Sequence, residues 1–242
     1  MNLLLLSNST NPGEEYLGWA KEHIKNFIGE ATTAVFIPYA AVTLTYDEYE
    51  AKVDKVFSEF GCKVTSIHHA WSPLQAIKEA EMIIIGGGNT WRLVQQMREL
   101  DLLSAIKTKV SNGTPYIGWS AGSNVACPTM KTTNDMPIVD PRGMNTLNLI
   151  PFQINPHYLD AHPAGHGGET REDRIKEFMV LNPDTYVVGL REATLLKVIG
   201  NKLELIGDKT ARLFKYKTET TELATTNDLS FLLHRAPEIE SC

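Results

Sequence analysis

The chain is poor in cysteine. It has three in 242 residues, Cys62, Cys127 and Cys242, far apart and with no C-x-x-C. That argues against a disulfide framework or a thiolate zinc site and points to a reducing cytoplasm. Long apolar runs are missing as well. The opening "MNLLLLSNST" holds four consecutive leucines and no basic stretch, too short for a signal peptide or a membrane anchor and better suited to a buried strand. There is no Lys/Arg cluster. With 23 basic and 29 acidic residues the formal net charge is -6, which argues against nucleic acid or an anionic membrane as partner. Repeats, low-complexity segments and interdomain linkers are absent, and 43% hydrophobic with 21% charged residues is an ordinary globular composition. The length fits one domain, read as residues 1–233, with 234–242 as a mobile tail.

What is present alternates. "NLLLL", "TAVFIPYA", "KVTSIHH", "EMIIIGGG" and "PYIGWS" read as short, continuously apolar strands. Between them, "GEEYLGWAKEHIKNFIG", "TYDEYEAKVDKVFSEFG", "SPLQAIKEA" and "TWRLVQQMRELDLLSAIKTKVSNG" read as amphipathic helices, the last as one or two. Ser72 is placed to cap the third, with Pro73 at its first position. This pattern predicts an α/β fold with a mostly parallel sheet flanked by helices. The second half is loop-rich. It offers a helix opened by a Thr170/Asp173 capping box, a strand "TYVVGL", a hairpin around Gly200-Asn201 and a strand "ARLFKYK".

Ligands of such sheets gather at the carboxyl ends of the strands. Those ends are Ser7-Asn8-Ser9-Thr10, Pro38-Tyr39-Ala40, Gly86-Gly87-Gly88-Asn89 and Ser120-Ala121-Gly122. The last lies in Gly118-Trp119-Ser120-Ala121-Gly122, a G-x-S-x-G, which can hold a serine on a sharp strand-to-helix turn with its hydroxyl exposed. A nucleophilic serine needs an oxyanion site and a base. The backbone N–H groups of Gly88 and Ala121 are candidates for the first. A dinucleotide site is disfavoured, because "GGGNTW" lacks the third glycine of G-x-G-x-x-G, and no P-loop GK[ST] occurs.

For the base, His157 in "QINPHY" follows a strand and a proline that fixes the chain. His23 reads as solvated, one of His68 and His69 as able to reach the crevice, and His234 as tail. His162 and His166, with His157 or Asp160, suggest a metal. However, Pro163 and Gly165 break the helix their spacing requires, and no H-E-x-x-H occurs, so no metal is expected. Asp135 and Glu192 are both candidates for the carboxylate that orients the base. The chain order serine, histidine, glutamate is not that of α/β-hydrolases. It resembles class I glutamine amidotransferases, with serine in place of their cysteine.

Taken together, "LLLLSNST", "AVFIPYA", "IIIGGGNT", "YIGWSAGSN", "TTNDMPIVDP", "QINPHY" and "GETREDRI" resemble the serine peptidase family of peptidase E (the α-aspartyl dipeptidases) and cyanophycinase, from Met1 to about Phe214. The resemblance implies a cytoplasmic hydrolase of dipeptides with N-terminal aspartate, without metal or organic cofactor. It implies Ser120 as nucleophile, His157 as base and Glu192 as third member, with Asp135 as the alternative third. Aspartate specificity calls for a cation, for which Arg171 at the first turn of the "REDRIKEF" helix is the choice. Asn89, Thr90 and Asn155 are the neutral partners, and Asp135 or Glu192 would receive the substrate ammonium. The expected partner is a small peptide, Asp-X. A homodimer stays open. Two other readings compete: a non-catalytic amidotransferase-like module for an acidic metabolite, and a serine amidase or esterase of different acyl specificity.

Overall fold

The computed structural model describes residues 1–160, 165 and 167–234; His162, His166 and the 235–242 part of the tail lie outside the described residues. Next to the central strand of its larger sheet lies β1 (Asn2–Leu6), where side chains alternate between faces. Leu3 and Leu5 enter one core and Leu4 and Leu6 another, all fully buried, which is why the run is apolar throughout.

The strands β2 (Thr33–Ile37), β3 (Lys63–Ser66), β4 (Ile83–Ile85) and β5 (Tyr116–Trp119) join β1 in parallel. The expected hairpin is β8 (Thr194–Ile199) and β9 (Lys202–Gly207), which adds antiparallel strands on the other side of β1. The order of this seven-stranded sheet is β3-β2-β4-β5-β1-β8-β9. On one face pack α1 (Lys21–Ile28) and α2 (Tyr46–Ser58), through Ile24, Val53 and Phe57. On the other pack α3 (Pro73–Glu79), α4 (Thr90–Glu99) and α5 (Leu102–Ser111), through Ile77, Leu93, Met97 and Ile106.

The caps at Ser72 and Thr170 form as the sequence predicts. The first helix is shorter than its pattern. Leu17 takes a positive φ of 57°, and the chain is only a 3-10 turn (Gly18–Ala20) before α1 begins at Lys21. The fourth helical stretch divides at Asp101, also at positive φ.

A second sheet, not anticipated as a separate layer, has the order β11-β10-β7-β6. It comprises β6 (Gln153–Pro156), β7 (Val187–Leu190), β10 (Ala211–Phe214) and β11 (Thr221–Leu223). The helix α7 (Arg171–Leu181) covers it with Ile175 and Met179, which meet Tyr158, Val187 and Phe214. β6 and β7 run parallel with Pro156 opposite Leu190, so the residues leaving both strands emerge side by side.

Candidate active site

Ser120 leaves β5 at φ 52°, ψ -111° and starts the short helix α6 (Ala121–Asn124). A non-glycine residue in that region is strained and must be held by its surroundings. Its N–H donates to the Leu6 carbonyl at 3.1 Å. Ser123 hydrogen-bonds the carbonyls of Leu6 (2.6 Å) and Gly118 (2.9 Å), and Tyr116 Oη donates to the Gly122 carbonyl at 2.6 Å. The flanking glycine Gly122 is required by space. A Cβ there would lie 2.1 Å from the Ile85 carbonyl oxygen of β4. Gly122→Ala is therefore expected to destabilise the fold by about 1–3 kcal/mol, as overpacking of a rigid backbone contact does. An unchanged denaturation midpoint would contradict this role.

The neighbouring turn, Gly86-Gly87-Gly88, is held by Tyr49, whose hydroxyl donates to the Gly87 carbonyl and accepts from Trp119 Nε1, both at 3.0 Å. Gly88 has φ 132° and would place a Cβ 2.3 Å from the Ala40 carbonyl oxygen. Among the described residues, neither the Gly88 nor the Ala121 N–H donates to a protein acceptor. Gly88, Asn89, Trp119, Ser120 and His157 line one cavity of about 550 Å³.

His157 comes from the other sheet, immediately after β6 and at φ 53°. Its Nε2 lies 2.9 Å from Ser120 Oγ, and its Nδ1 lies 2.7 Å from Glu192 Oε1. Glu192 leaves β7, which the parallel register sets beside β6. Its neighbour Arg191 does not compete for the histidine's carboxylate. Its guanidinium binds Asp160 at 2.5 and 2.8 Å and Glu222 at 2.8 Å, contacts that push the pKa of Arg191 up and those of Asp160 and Glu222 down.

Two residues flagged only as a strand end fix this geometry. Ser7 Oγ accepts from the His157 N–H at 2.9 Å and donates to the Leu190 carbonyl at 2.7 Å, joining β1 to both β6 and β7. Asn8 Oδ1 accepts from the N–H of Ala193, beside Glu192, at 2.9 Å. Their signal in the sequence is a polar pair directly after an apolar strand, and both are buried.

Other expectations need correction. Asp135 does not touch His157. Its Oδ2 accepts from the Thr90 N–H (2.8 Å), the Thr90 hydroxyl (2.6 Å) and the Thr133 hydroxyl (3.0 Å), which fastens the start of α4. Thr90 is thereby buried with its hydroxyl engaged, and it does not line the cavity. Asn89 does line it, while capping α4 through the Arg92 N–H at 3.0 Å. Asn155 and Arg171 lie in a smaller neighbouring cavity of about 50 Å³. There Asn134 Oδ1 accepts from Arg171 Nη1 at 2.5 Å and from Asn155 Nδ2 at 2.8 Å, and Asn134 Nδ2 reaches the Pro156 carbonyl at 2.7 Å, one residue from His157. His68 and His69 face α2 and not the cavity over Ser120.

This arrangement can take a proton from Ser120 onto an oriented imidazole.

The model of peptidase family S51 matches residues 3–206 of the chain. A Peptidase E of a Nostoc species is 56% identical over 235 residues, 97% of both chains. A Peptidase E of Salmonella typhimurium is 50% identical over 223 residues, 92% of this chain and 97% of its own. The crystal structure of a peptidase from an acI-B1 Actinobacterium superposes with a TM-score of 0.71 at 18% identity, covering 95% of this chain and 96% of that one, a likeness of fold alone.

Proposed function

The chain belongs to peptidase family S51, and on that premise we propose that it is a serine dipeptidase that hydrolyses peptides with N-terminal aspartate through an acyl-enzyme. The observation that carries this reading is the unbroken hydrogen-bond chain Ser120–His157–Glu192, with the serine on a strained turn above a cavity.

His157 Nε2 accepts the hydroxyl proton as Ser120 Oγ attacks the peptide carbonyl. The N–H groups of Gly88 and Ala121 hold the oxyanion, and one such donor typically contributes about 3–4 kcal/mol to the transition state. His157 then protonates the leaving amine, and water activated by the same imidazole cleaves the aspartyl ester. Glu192 keeps the imidazole in the tautomer with the proton on Nδ1 and stabilises the imidazolium. Nothing in these steps calls for a metal or an organic cofactor.

For the substrate's β-carboxylate we assign Arg171. Burial and the nearby Arg174 push its pKa down, so an arriving anion relieves an unfavourable charge. Among the described residues it has no carboxylate within ion-pair range, whereas Arg191 and Arg212 are already engaged by Asp160, Glu172 and Glu222. The ammonium of the substrate takes a carboxylate oxygen of Glu192, since Asp135 is engaged by Thr90 and Thr133. Asn89 supplies a neutral contact. The setting we assign is the cytoplasm. This is supported by the free thiols Cys62 and Cys127, whose burial pushes their pKa values up to about 11 and about 12 and keeps them unreactive. No helix among the described residues is long and apolar enough to cross a membrane.

The test is a dipeptide panel. Asp-Leu should be cleaved with kcat/KM at least about a hundredfold above Asn-Leu and Ala-Leu, since a site built for a charged group leaves its own cation unpaired with the wrong substrate. Arg171→Met should remove most of that preference while leaving the slow cleavage of Ala-Leu unchanged. Equal rates across the panel would favour a general amidase. Binding of aspartate without turnover of any peptide would favour a binding module.

A further inference from the structure

Away from the cavity over Ser120, the first turns of α2 meet the end of β3 through a second group of titratable side chains. Asp47 and Glu50 of α2 face His68 and His69 of the 3-10 turn Ile67–His69. His68 Nε2 lies 2.9 Å from Asp47 Oδ1, and His69 Nε2 lies 2.7 Å from Glu50 Oε2 and 3.4 Å from Asp47 Oδ1. The four ligand-capable atoms, one per residue, all lie within 4.8 Å of one another. We propose that these residues bind one divalent transition-metal ion, zinc by the chemistry of its ligands, which clamps α2 to β3 and takes no part in hydrolysis.

The donor set and its spacing support this. A tetrahedral zinc with bonds of about 2.0–2.2 Å separates its ligand atoms by roughly 3.3–3.6 Å. The contacting pairs, at 2.7, 2.9 and 3.4 Å, lie at or just below that spacing within a set no wider than 4.8 Å, so small side-chain rotations admit the ion. Imidazole nitrogens select zinc, and in competition copper or nickel, over magnesium or calcium, which prefer all-oxygen sites. Four protein ligands leave no open position, the mark of a structural and not a catalytic zinc.

An outer shell is also in place, and it comes from a residue outside the group. Ser66 is fully buried, and its hydroxyl lies 2.6 Å from His68 Nδ1. Its backbone N–H donates to Glu50 Oε1 at 2.7 Å, which leaves Oε2 facing the site. Metal-bound histidines ordinarily engage such a partner through the second ring nitrogen. A hydroxyl can donate or accept, so Ser66 serves His68 in either tautomer: Nε2 protonated toward Asp47 without the ion, Nδ1 protonated with it. Each histidine then binds the ion through Nε2 as a neutral imidazole, its one ring proton relocated to Nδ1.

The clamp also has a place in the larger structure. Ala41, Val42, Thr43 and Leu44 wall the cavity over Ser120 and lead directly into α2. The Tyr46 ring packs on both His68 and Tyr39. An ion at Asp47 and Glu50 would fix the far end of that wall.

The experiment uses the full chain, stripped with chelator and titrated calorimetrically with zinc chloride. One equivalent should bind and raise the thermal midpoint, while magnesium does neither. Glu50→Gln, nearly isosteric, and His69→Ala should each weaken zinc at least about tenfold. Ser66→Ala, which touches no ion, should weaken it about ten- to a hundredfold. Circular dichroism verifies that each variant is folded. A zinc-soaked crystal should give an anomalous peak between His68 Nε2 and His69 Nε2. Absence of stoichiometric uptake overturns the proposal. So does uptake of undiminished affinity in Glu50→Gln and His69→Ala, which would place the ion elsewhere.

Discussion

Ser120→Ala should lower kcat for Asp-Leu by roughly ten-thousand-fold or more, the scale seen when the nucleophile of an acyl-enzyme mechanism is removed. That corresponds to about 5.5 kcal/mol or more of transition-state stabilisation. The same variant should denature at nearly the same midpoint. Alanine keeps the Cβ and the N–H to Leu6, and gives up only the hydroxyl's bond to His157. Ser123, three residues on, provides the control. Its hydroxyl is buried between two backbone carbonyls and does not face the cavity. Ser123→Ala should cost about 1 kcal/mol of stability and leave most turnover intact. Stopped-time hydrolysis assays and denaturant melts on both variants measure the contrast. Near wild-type turnover in Ser120→Ala would end the serine mechanism for this chain.

The second large effect separates the two carboxylates. Glu192→Gln should lower kcat by roughly a hundred- to ten-thousand-fold. Without a carboxylate on Nδ1 the imidazole can present the wrong tautomer to the serine, and the imidazolium goes unsupported; loss of the equivalent charge in a serine protease costs about ten-thousand-fold. Glu192 is partly exposed, so solvent can compensate in part, and the lower end of the range is expected. Asp135→Asn should act differently. It weakens three hydrogen bonds at the start of α4, so a loss of stability of about 1–3 kcal/mol is expected with a smaller kinetic penalty. Reversed outcomes, with kcat collapsing in Asp135→Asn and surviving in Glu192→Gln, would assign the orienting role to the other residue.

The choice between those carboxylates shows where sequence reading stops. The apolar strands, the caps at Ser72 and Thr170 and the glycine-flanked Ser120 are local features, legible because hydrophobic period, capping chemistry and steric need all act within a few residues. The placing of His157 at a strand end is legible in the same way, from the proline beside it. Glu192 over Asp135 depends on the parallel register of β6 with β7, set by strands more than 30 residues apart. The roles of Ser7 and Asn8 depend on contacts spanning 183 and 185 residues. The setting of Thr90 is hidden for a related reason: its hydroxyl is engaged by Asp135, a partner 45 residues away. The strand β11 gave little sign, since two of its three residues are exposed and its apolar pattern is a single leucine.

The position of β1 bears on how the chain must be made. The strand precedes both of its partners in the chain, and one of its edges can pair only when Tyr116–Trp119 has followed. Its other edge waits for Thr194–Ile199. Until then a strand of four leucines exposes unpaired backbone and apolar surface on a growing chain, the condition under which nascent proteins associate wrongly. The strand that later anchors Ser7 against His157 thus needs protection during translation. A chaperone's hold on the nascent chain should be released only after residue 199 has emerged.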